Sequence, residues 1–448
     1  MKPIRGLDWT VVRDSLLRLQ PAFTCIAACG VLLGVTVGRS LAAAELRAGL
    51  AKTDITPTQP VKMAGYESRK DFSNGVHDPL SARALVFEQA GRHLALVSID
   101  NLGFYNDTAA PLRKAILDQC HLEPSELLLC AIHTHSAPTL TLDAATVSDA
   151  NVEYTRSLES RLADLVSRAI QGTQPIQISL GRGSSPVGVN RREIVTDGTS
   201  RKIVLGRNPD ELTDREVQVM KLTRPGQDRA VGALFDYATH STSLGPRNYL
   251  ISGDVHGLAA QFLENYYGQG FIAPEFAGAS GNIDPWVRVL PDFRTNNGWI
   301  PEPVLLGTML GEEVARVLET SQRPVTNTVL ASMFRTVELP GKPDTNGVSA
   351  AGRTVPFNIT LGRVGEIAFV GWGGEVFNEV GKRVKSSSPF SCTIVMTHCN
   401  GAAGYVPIRS SYAEGGYEVQ SSPFGPGADE VLADATLEML RCLHGERE

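Results

Sequence analysis

Four short apolar runs in this chain each end on side chains able to bind a metal or move a proton. Glu126–Ile132 runs into His133-Thr134-His135, and Val231–Ala238 into Thr239-His240. Glu366–Gly371 runs into Gly373-Gly374-Glu375, and Cys392–Thr397 into His398 and then Tyr405. Leu94–Ile99 and Phe271–Ala277 are two further runs of the same kind. Continuous apolar segments of this length suit strands buried on both faces. Apolar residues at helical spacing fall in Thr108–Cys120, Val152–Gln171, His256–Tyr267, Leu305–Thr320, Val376–Lys385 and Ala428–Leu443. The expectation is an α/β protein with mixed β-sheets flanked by helices. Its metal site should lie at the C-terminal ends of strands, where open α/β sheets bind their ligands. Asn208–Leu212 and Pro340–Gly352 read as loops, and no internal repeat is apparent.

The N-terminus reads as a targeting segment. Lys2, Arg5, Arg13 and Arg18 precede the apolar run Pro21–Val37, which ends at Leu41-Ala42-Ala43-Ala44. A basic region, an apolar stretch and a small-residue site are the parts of a secretory signal. The expected division is a signal peptide over 1–44, with an uncleaved anchor as the alternative, and a single catalytic domain over 45–448. The expected location is therefore secreted or periplasmic. The chain carries a net charge of −6, and −9 without its first 44 residues. That balance argues against nucleic acid as a partner, which calls for a basic face. It also argues against docking on acidic lipid by charge alone. Cys120, Cys130, Cys392, Cys399 and Cys442 remain beyond residue 44, too few for a disulfide scaffold. Sequence does not pair them.

His133 and His135 are two apart, and on a strand such residues face the same side. With His240 at another strand end, three imidazoles plus a carboxylate suit zinc. A hydrogen-bonded histidine pair in a polar core fits the same spacing. His398 is a rival ligand because it also ends a strand, and His256 reads as a structural residue opening a helix. No G-x-S-x-G elbow, P-loop or G-x-G-x-x-G fingerprint is present, which argues against serine-hydrolase, nucleotide and nicotinamide chemistry.

A series of ordered blocks resembles the neutral/alkaline ceramidases. They are Ala48–Pro57, Gly65-Tyr66, Gly75-Val76-His77, Ile132–Pro138, Asn190-Arg191, His240–Ser243 with Ile251–Asp254, Gly281–Pro285, Gly373–Phe377, Tyr405-Val406 and Tyr412–Tyr417. The resemblance runs from about Ala48 to about Glu438. It implies a zinc-dependent amidase that hydrolyses the N-acyl bond of ceramide, with one Zn2+ per chain. It implies His133, His240, Glu375 and Tyr405 as ligands. His135 and Tyr417 would handle protons or bind the oxyanion, Arg191 would stabilise charge near the amide, and His77 would line the pocket. Read without the family, Tyr405 is a hydrogen-bonding aromatic, Glu375 a first-turn helix acid, and Arg191 a surface partner of Glu193 or Asp254. The implied partner is a lipid or N-acyl amide, with contact to a membrane surface.

The chain departs from the family pattern in several places. Asp284 stands where the family carries serine, as an added carboxylate that would ligate, act as base or bind a polar group. Thr139-Leu140-Thr141 replaces glycines, and His256 falls at a lysine position. The family's C-terminal immunoglobulin-like domain is expected to be absent. These departures keep two alternatives open: a metallohydrolase acting on a more polar amide, and a non-catalytic binding protein of the same fold.

Overall fold

A computed structural model describes residues 44–286, 302–320, 323–342 and 353–445. The expected signal segment up to residue 43 and most of the loop expected over 340–352 lie outside the described residues. Three sheets share one topology. In the first, β1 (Arg47–Asp54), β2 (Ser81–Gln89) and β3 (Arg92–Ile99) form an antiparallel meander. Helix α1 (Ala109–Cys120) then crosses over to β4 (Leu127–Ala131), parallel to β3. Helix α2 (Asp149–Gln171) follows and leads to a two-residue strand at Gln174–Pro175 that pairs with β1.

The second sheet repeats this order. β5 (Gln177–Ser184), β6 (Glu216–Thr223) and β7 (Ala230–Tyr237) are antiparallel, and α3 (Asp254–Tyr267) crosses to β8 (Glu275–Ala277), parallel to β7. Helix α4 (Glu302–Thr320) precedes Arg323–Pro324, which pairs with β5. In the third sheet β9 (Leu330–Pro340), β10 (Thr354–Val364) and β11 (Ile367–Trp372) are followed by α5 (Asn378–Ser387) and β12 (Cys392–Met396), parallel to β11. Helix α6 (Ala428–His444) comes last. The internal repeat that the sequence does not reveal is thus present as topology.

Packing explains the continuous apolar runs. One face of each sheet is covered by its own helices. Ala84, Val86, Val97 and Leu129 pack on Ile116, Leu158, Leu162 and Val166. Phe235 and Val219 pack on Leu263 and Leu310, and Ile359 and Val370 on Val384 and Leu437. The opposite faces meet one another in a core that includes Phe87, Leu128, Met220, Phe276, Phe369 and Ile394. Strands in such a layer are apolar on both sides, and each fully buried leucine contributes about 1.5–3 kcal/mol. The mixed α/β architecture expected from the sequence is therefore present, with parallel steps confined to one pair of strands per sheet.

Element boundaries depart from expectation for local reasons. The run at Phe271–Ala277 becomes a strand only from Glu275. Pro274 has no N–H to donate, and its carbonyl accepts from Phe235. The helix expected from Val376 begins at Asn378, because Glu375-Val376 pairs in parallel with Tyr405-Val406. Among the described residues no helix is long and apolar enough to cross a membrane.

Candidate metal centre at the strand ends

The shared topology brings the ends of six strands together, two from each sheet. β4 stops at Ala131, and His133 adopts a left-handed backbone with φ of 61°. His133 and His135 therefore do not meet through strand alternation. Thr134 donates its N–H to Asn101 at 3.1 Å and His135 to Ser241 at 3.0 Å, which stitches the segment to the ends of β3 and β7. The left-handed turn then swings both rings to one side. His240 lies three residues beyond β7, and Glu375 three beyond β11.

The hydrogen bonds fix the tautomers. A carbonyl only accepts, so each imidazole facing one must carry its proton on that nitrogen. His133 Nδ1 meets Leu102 O at 2.7 Å, and His240 Nδ1 meets Ser280 O at 2.8 Å. His135 Nδ1 meets Gly65 O at 3.2 Å. All three Nε2 lone pairs then face inward, and the ligand atoms lie within 4.8 Å of one another. His133 and His135 present their Nε2 atoms to each other at 3.3 Å. Glu375 Oε2 lies 3.3 Å from His133 Nε2 and 3.5 Å from His240 Nε2, yet this buried oxygen has no hydrogen-bond partner. The facing His133 and His135 lone pairs beside an orphaned carboxylate oxygen are unfavourable without a cation between them. The donor set thus fits a metal ion, and carbonyl-anchored imidazoles are the arrangement that orients metal ligands.

Charge states agree with this. Burial pushes the His135 imidazole well below its usual range, assisted by His133 and His240. Burial, with Arg191 alongside, lowers His240 to about 4. Both rings stay neutral at physiological pH, as ligation requires. Burial raises the Tyr105 hydroxyl, so it stays protonated and donates to Glu375 Oε1 at 2.6 Å. That bond turns Oε2 toward the imidazoles.

Arg191 is buried in a network of charges. It donates to Glu418 at 2.8 Å, to Asp284 at 3.2 Å and to the Tyr405 hydroxyl at 3.2 Å, and its Nη1 lies 3.1 Å from His240 Nε2, a contact that would have to give way for His240 to ligate a metal. Glu418 also accepts from Arg192 at 2.9 Å. Asp284 Oδ2 faces Arg207 at 3.4 Å. Arg191 is therefore no surface partner of Glu193 or Asp254. Glu375 precedes its helix and is no first-turn acid.

A cavity of about 500 Å³ opens onto this centre. Met63, Tyr66, Tyr105, Leu140, Tyr405 and Tyr417 line it together with His133, His135 and Glu375. His135 is half-buried, whereas His133 and His240 are buried. Tyr417 is 48% exposed and its ring centroid lies 5.7 Å from that of Tyr405. Asp284 and His77 are not among the lining residues. His77 pairs with Asp78 at 2.6 Å and donates its backbone N–H to Ile251. His256 is held by Ser241 and the Tyr237 carbonyl, a structural placement. His398 stacks on His133 with centroids 3.8 Å apart.

Tyr105 and Glu418 escaped the sequence reading. Tyr105 lies six residues past β3, and the same strand-end logic would have reached it. Nothing in the sequence marks Glu418 beyond its place next to Tyr417.

Fold and site together define an α/β protein whose strand ends build a histidine–carboxylate centre able to hold a metal ion. The chain belongs to the neutral/alkaline non-lysosomal ceramidases, whose N-terminal family model matches residues 46–283. It is 27% identical over 275 residues to neutral ceramidase 1 of Arabidopsis thaliana, covering 57% of this chain and 34% of that protein. It is 27% identical over 284 residues to the neutral ceramidase of Pseudomonas aeruginosa, covering 61% of this chain and 42% of that one. The matched stretches thus cover about a third to two fifths of the length of these curated relatives. A crystal structure of neutral ceramidase from Pseudomonas aeruginosa shares the fold, with a TM-score of 0.72 at 21% identity over 89% of this chain and 74% of that chain.

Proposed function

We propose that this protein is a zinc-dependent amidohydrolase that cleaves the N-acyl bond of ceramide or a related N-acyl lipid. The observation that carries the reading is the clustering of the His133, His135 and His240 ligand atoms beside the unpartnered Glu375 Oε2, with His133, His135 and Glu375 lining the cavity. His133, His240 and Glu375 are the buried holders of the metal, with Tyr405 the fourth residue of the family set. Bound there, zinc would supply Lewis acidity, which makes water nucleophilic near neutral pH and polarises a carbonyl. His135 is the half-exposed imidazole of the group, so it is placed to take a proton from water and return it to the leaving amine nitrogen. The Tyr417 hydroxyl borders the same space and suits the developing oxyanion. Arg191 reaches the Tyr405 hydroxyl and biases it toward accepting. Tyr66, Leu140 and Met63 give the walls an apolar character that favours an acyl chain. Asp284 is engaged by Arg191 and Arg207, so its charge is answered inside the protein rather than offered to a polar substrate.

The test is hydrolysis of a fluorescent short-chain ceramide by purified protein, with zinc measured on the same sample and His133→Ala as control. Product from the wild type, and loss of both zinc and product in the variant, are expected. Zinc near one per chain without ceramide cleavage would overturn the substrate, and a panel of other N-acyl amides would follow. Export to the periplasm or exterior belongs to the same proposal, and N-terminal sequencing of the mature chain tests it.

A further inference from the structure

We propose that Cys130 and Cys399 form a cross-strand disulfide that ties the first sheet to the third directly behind the candidate metal centre. In the structure both are thiols and both are buried in the core where the sheets meet. Their backbones share an isolated antiparallel bridge. Two hydrogen bonds flank that bridge: Asn400 N–H to Leu129 O at 2.8 Å, and Ala131 N–H to His398 O at 3.2 Å. Bonds from the flanking residues, with none between the pair itself, define a non-hydrogen-bonded antiparallel pair. Such pairs hold their Cα atoms about 4.5 Å apart with side chains on the same side. That spacing lies inside the range a disulfide spans, roughly 4.4–6.8 Å between Cα atoms.

A second observation concerns the sulfurs. Burial, with the Cys399 thiol as its neighbour, pushes the Cys130 thiol well above its ordinary range. Opposite them, a Cβ on Gly371 would fall 2.4 Å from Cys399 Sγ, so the absent side chain there is what leaves room for sulfur. The remaining described cysteines are placed elsewhere: Cys442 is exposed, Cys120 is half-buried with Ala163 O as its partner, and Cys392 faces Gln218. Among the described residues Cys130 and Cys399 are the one cysteine pair that shares a backbone bridge.

Burial means that the bond forms during folding, before the sheets close. One thiolate attacks a small-molecule disulfide such as oxidised glutathione and releases one glutathione thiolate. The second thiolate attacks the resulting mixed disulfide and releases the other. Two S–H bonds are lost, one S–S bond forms, and the oxidant takes up the two electrons and two protons. The tie would join two strand ends of the site. Cys130 lies three residues before His133, and Cys399 follows His398, whose ring stacks on that of His133.

The full chain is denatured, reduced and refolded in a mixture of oxidised and reduced glutathione with zinc. It is then alkylated in denaturant, digested and mapped by mass. A linked peptide pair holding unalkylated Cys130 and Cys399, which separates on reduction, is the expected result. Alkylation of both residues, or linkage of either to another cysteine, overturns the proposal. Reductant should also lower the thermal midpoint of the oxidised wild type by several degrees while leaving Cys399→Ser unmoved. A wild-type midpoint that reductant does not shift overturns the tie as well. If the variant does not fold, the wild-type peptide map decides alone.

Discussion

His133 shows how much the centre asks of a single residue. A left-handed backbone at a residue other than glycine costs about 1–2 kcal/mol. The cost is met locally by the N–H of Thr134 and of His135, each bonded to a different strand end. What the protein gains is a histidine pair with both Nε2 atoms turned inward. The two rings nonetheless differ, because His135 is half-exposed to the cavity and His133 is not. A buried ligand removed from the set should cost the metal, whereas a proton-handling ring should cost turnover. His133→Ala and His240→Ala are therefore expected to lose bound zinc at equilibrium dialysis. His135→Ala is expected to keep zinc and to lower kcat about 100-fold or more, the usual weight of a general acid–base group. Loss of zinc from His135→Ala with turnover per remaining zinc unchanged would reassign His135 as a ligand.

At the scale of elements, close approach is set by what side chains leave out. Gly49 of β1 faces α2, and a Cβ there would fall 1.9 Å from the Ala169 carbonyl oxygen. Backbone cannot yield as a flexible side chain can, so helix and sheet would have to separate. Gly49→Ala should lose about 1–3 kcal/mol of stability, the range for overpacking, read as a lower urea midpoint at unchanged slope. An unchanged midpoint would show that α2 is free to shift. The elements themselves were largely legible, because strands covered by helices on one face and sheets on the other become unbroken apolar runs. Leu94–Ile99 and Cys392–Thr397 were visible for that reason. The strands at Gln177–Ser184 and Glu216–Thr223 were not, since glycines and charged residues interrupt them. The long pair Leu330–Pro340 and Thr354–Val364 was missed too, as its outer residues are only partly buried. At the site, strand-end logic found His133, His135, His240 and Glu375. It could not foresee that His133 leaves the strand, that Asp284 would be clamped by two arginines, or that His77 would face Asp78. Those outcomes depend on partners from distant segments, which no local pattern encodes.

Across the whole molecule, the three sheets are joined by different chemistry at each junction. Cys130 and Cys399 meet between the first and third, and Lys385 of α5 reaches Asp214 at 2.8 Å and Glu216 at 2.5 Å between the third and second. Between the first and second, the fully buried Arg83 of β2 bonds Glu264 of α3 and Glu275 of β8, each at 2.7 Å, with Asp100 at 3.4 Å. One guanidinium cannot neutralise three carboxylates. Burial, with Asp100 adding to it, raises the Glu275 carboxyl well above its ordinary 4.5. Burial opposes ionisation of Glu264 too, but Arg83 and Lys52 outweigh it and lower that carboxyl. The signs are opposite. A raised carboxyl adds stability that is complete below its unfolded value and is lost as pH rises through its folded one. A lowered carboxyl adds stability that is complete above its unfolded value and is lost as pH falls through its folded one. Glu275 should therefore make the wild type less stable as pH climbs from about 4.5 through the raised value, at up to ~1.4 kcal/mol per pH unit. Glu275→Gln stays neutral and leaves Arg83 paired with Asp100 and Glu264, so it should flatten that alkaline decline. Glu264→Gln should flatten only the loss on the acid side. Urea midpoints measured for the three proteins across this range test the assignment. An alkaline decline undiminished in Glu275→Gln would show that Glu275 does not carry it and would move it to another raised carboxyl, such as Asp100 in this junction or Asp236 and Asp254 outside it.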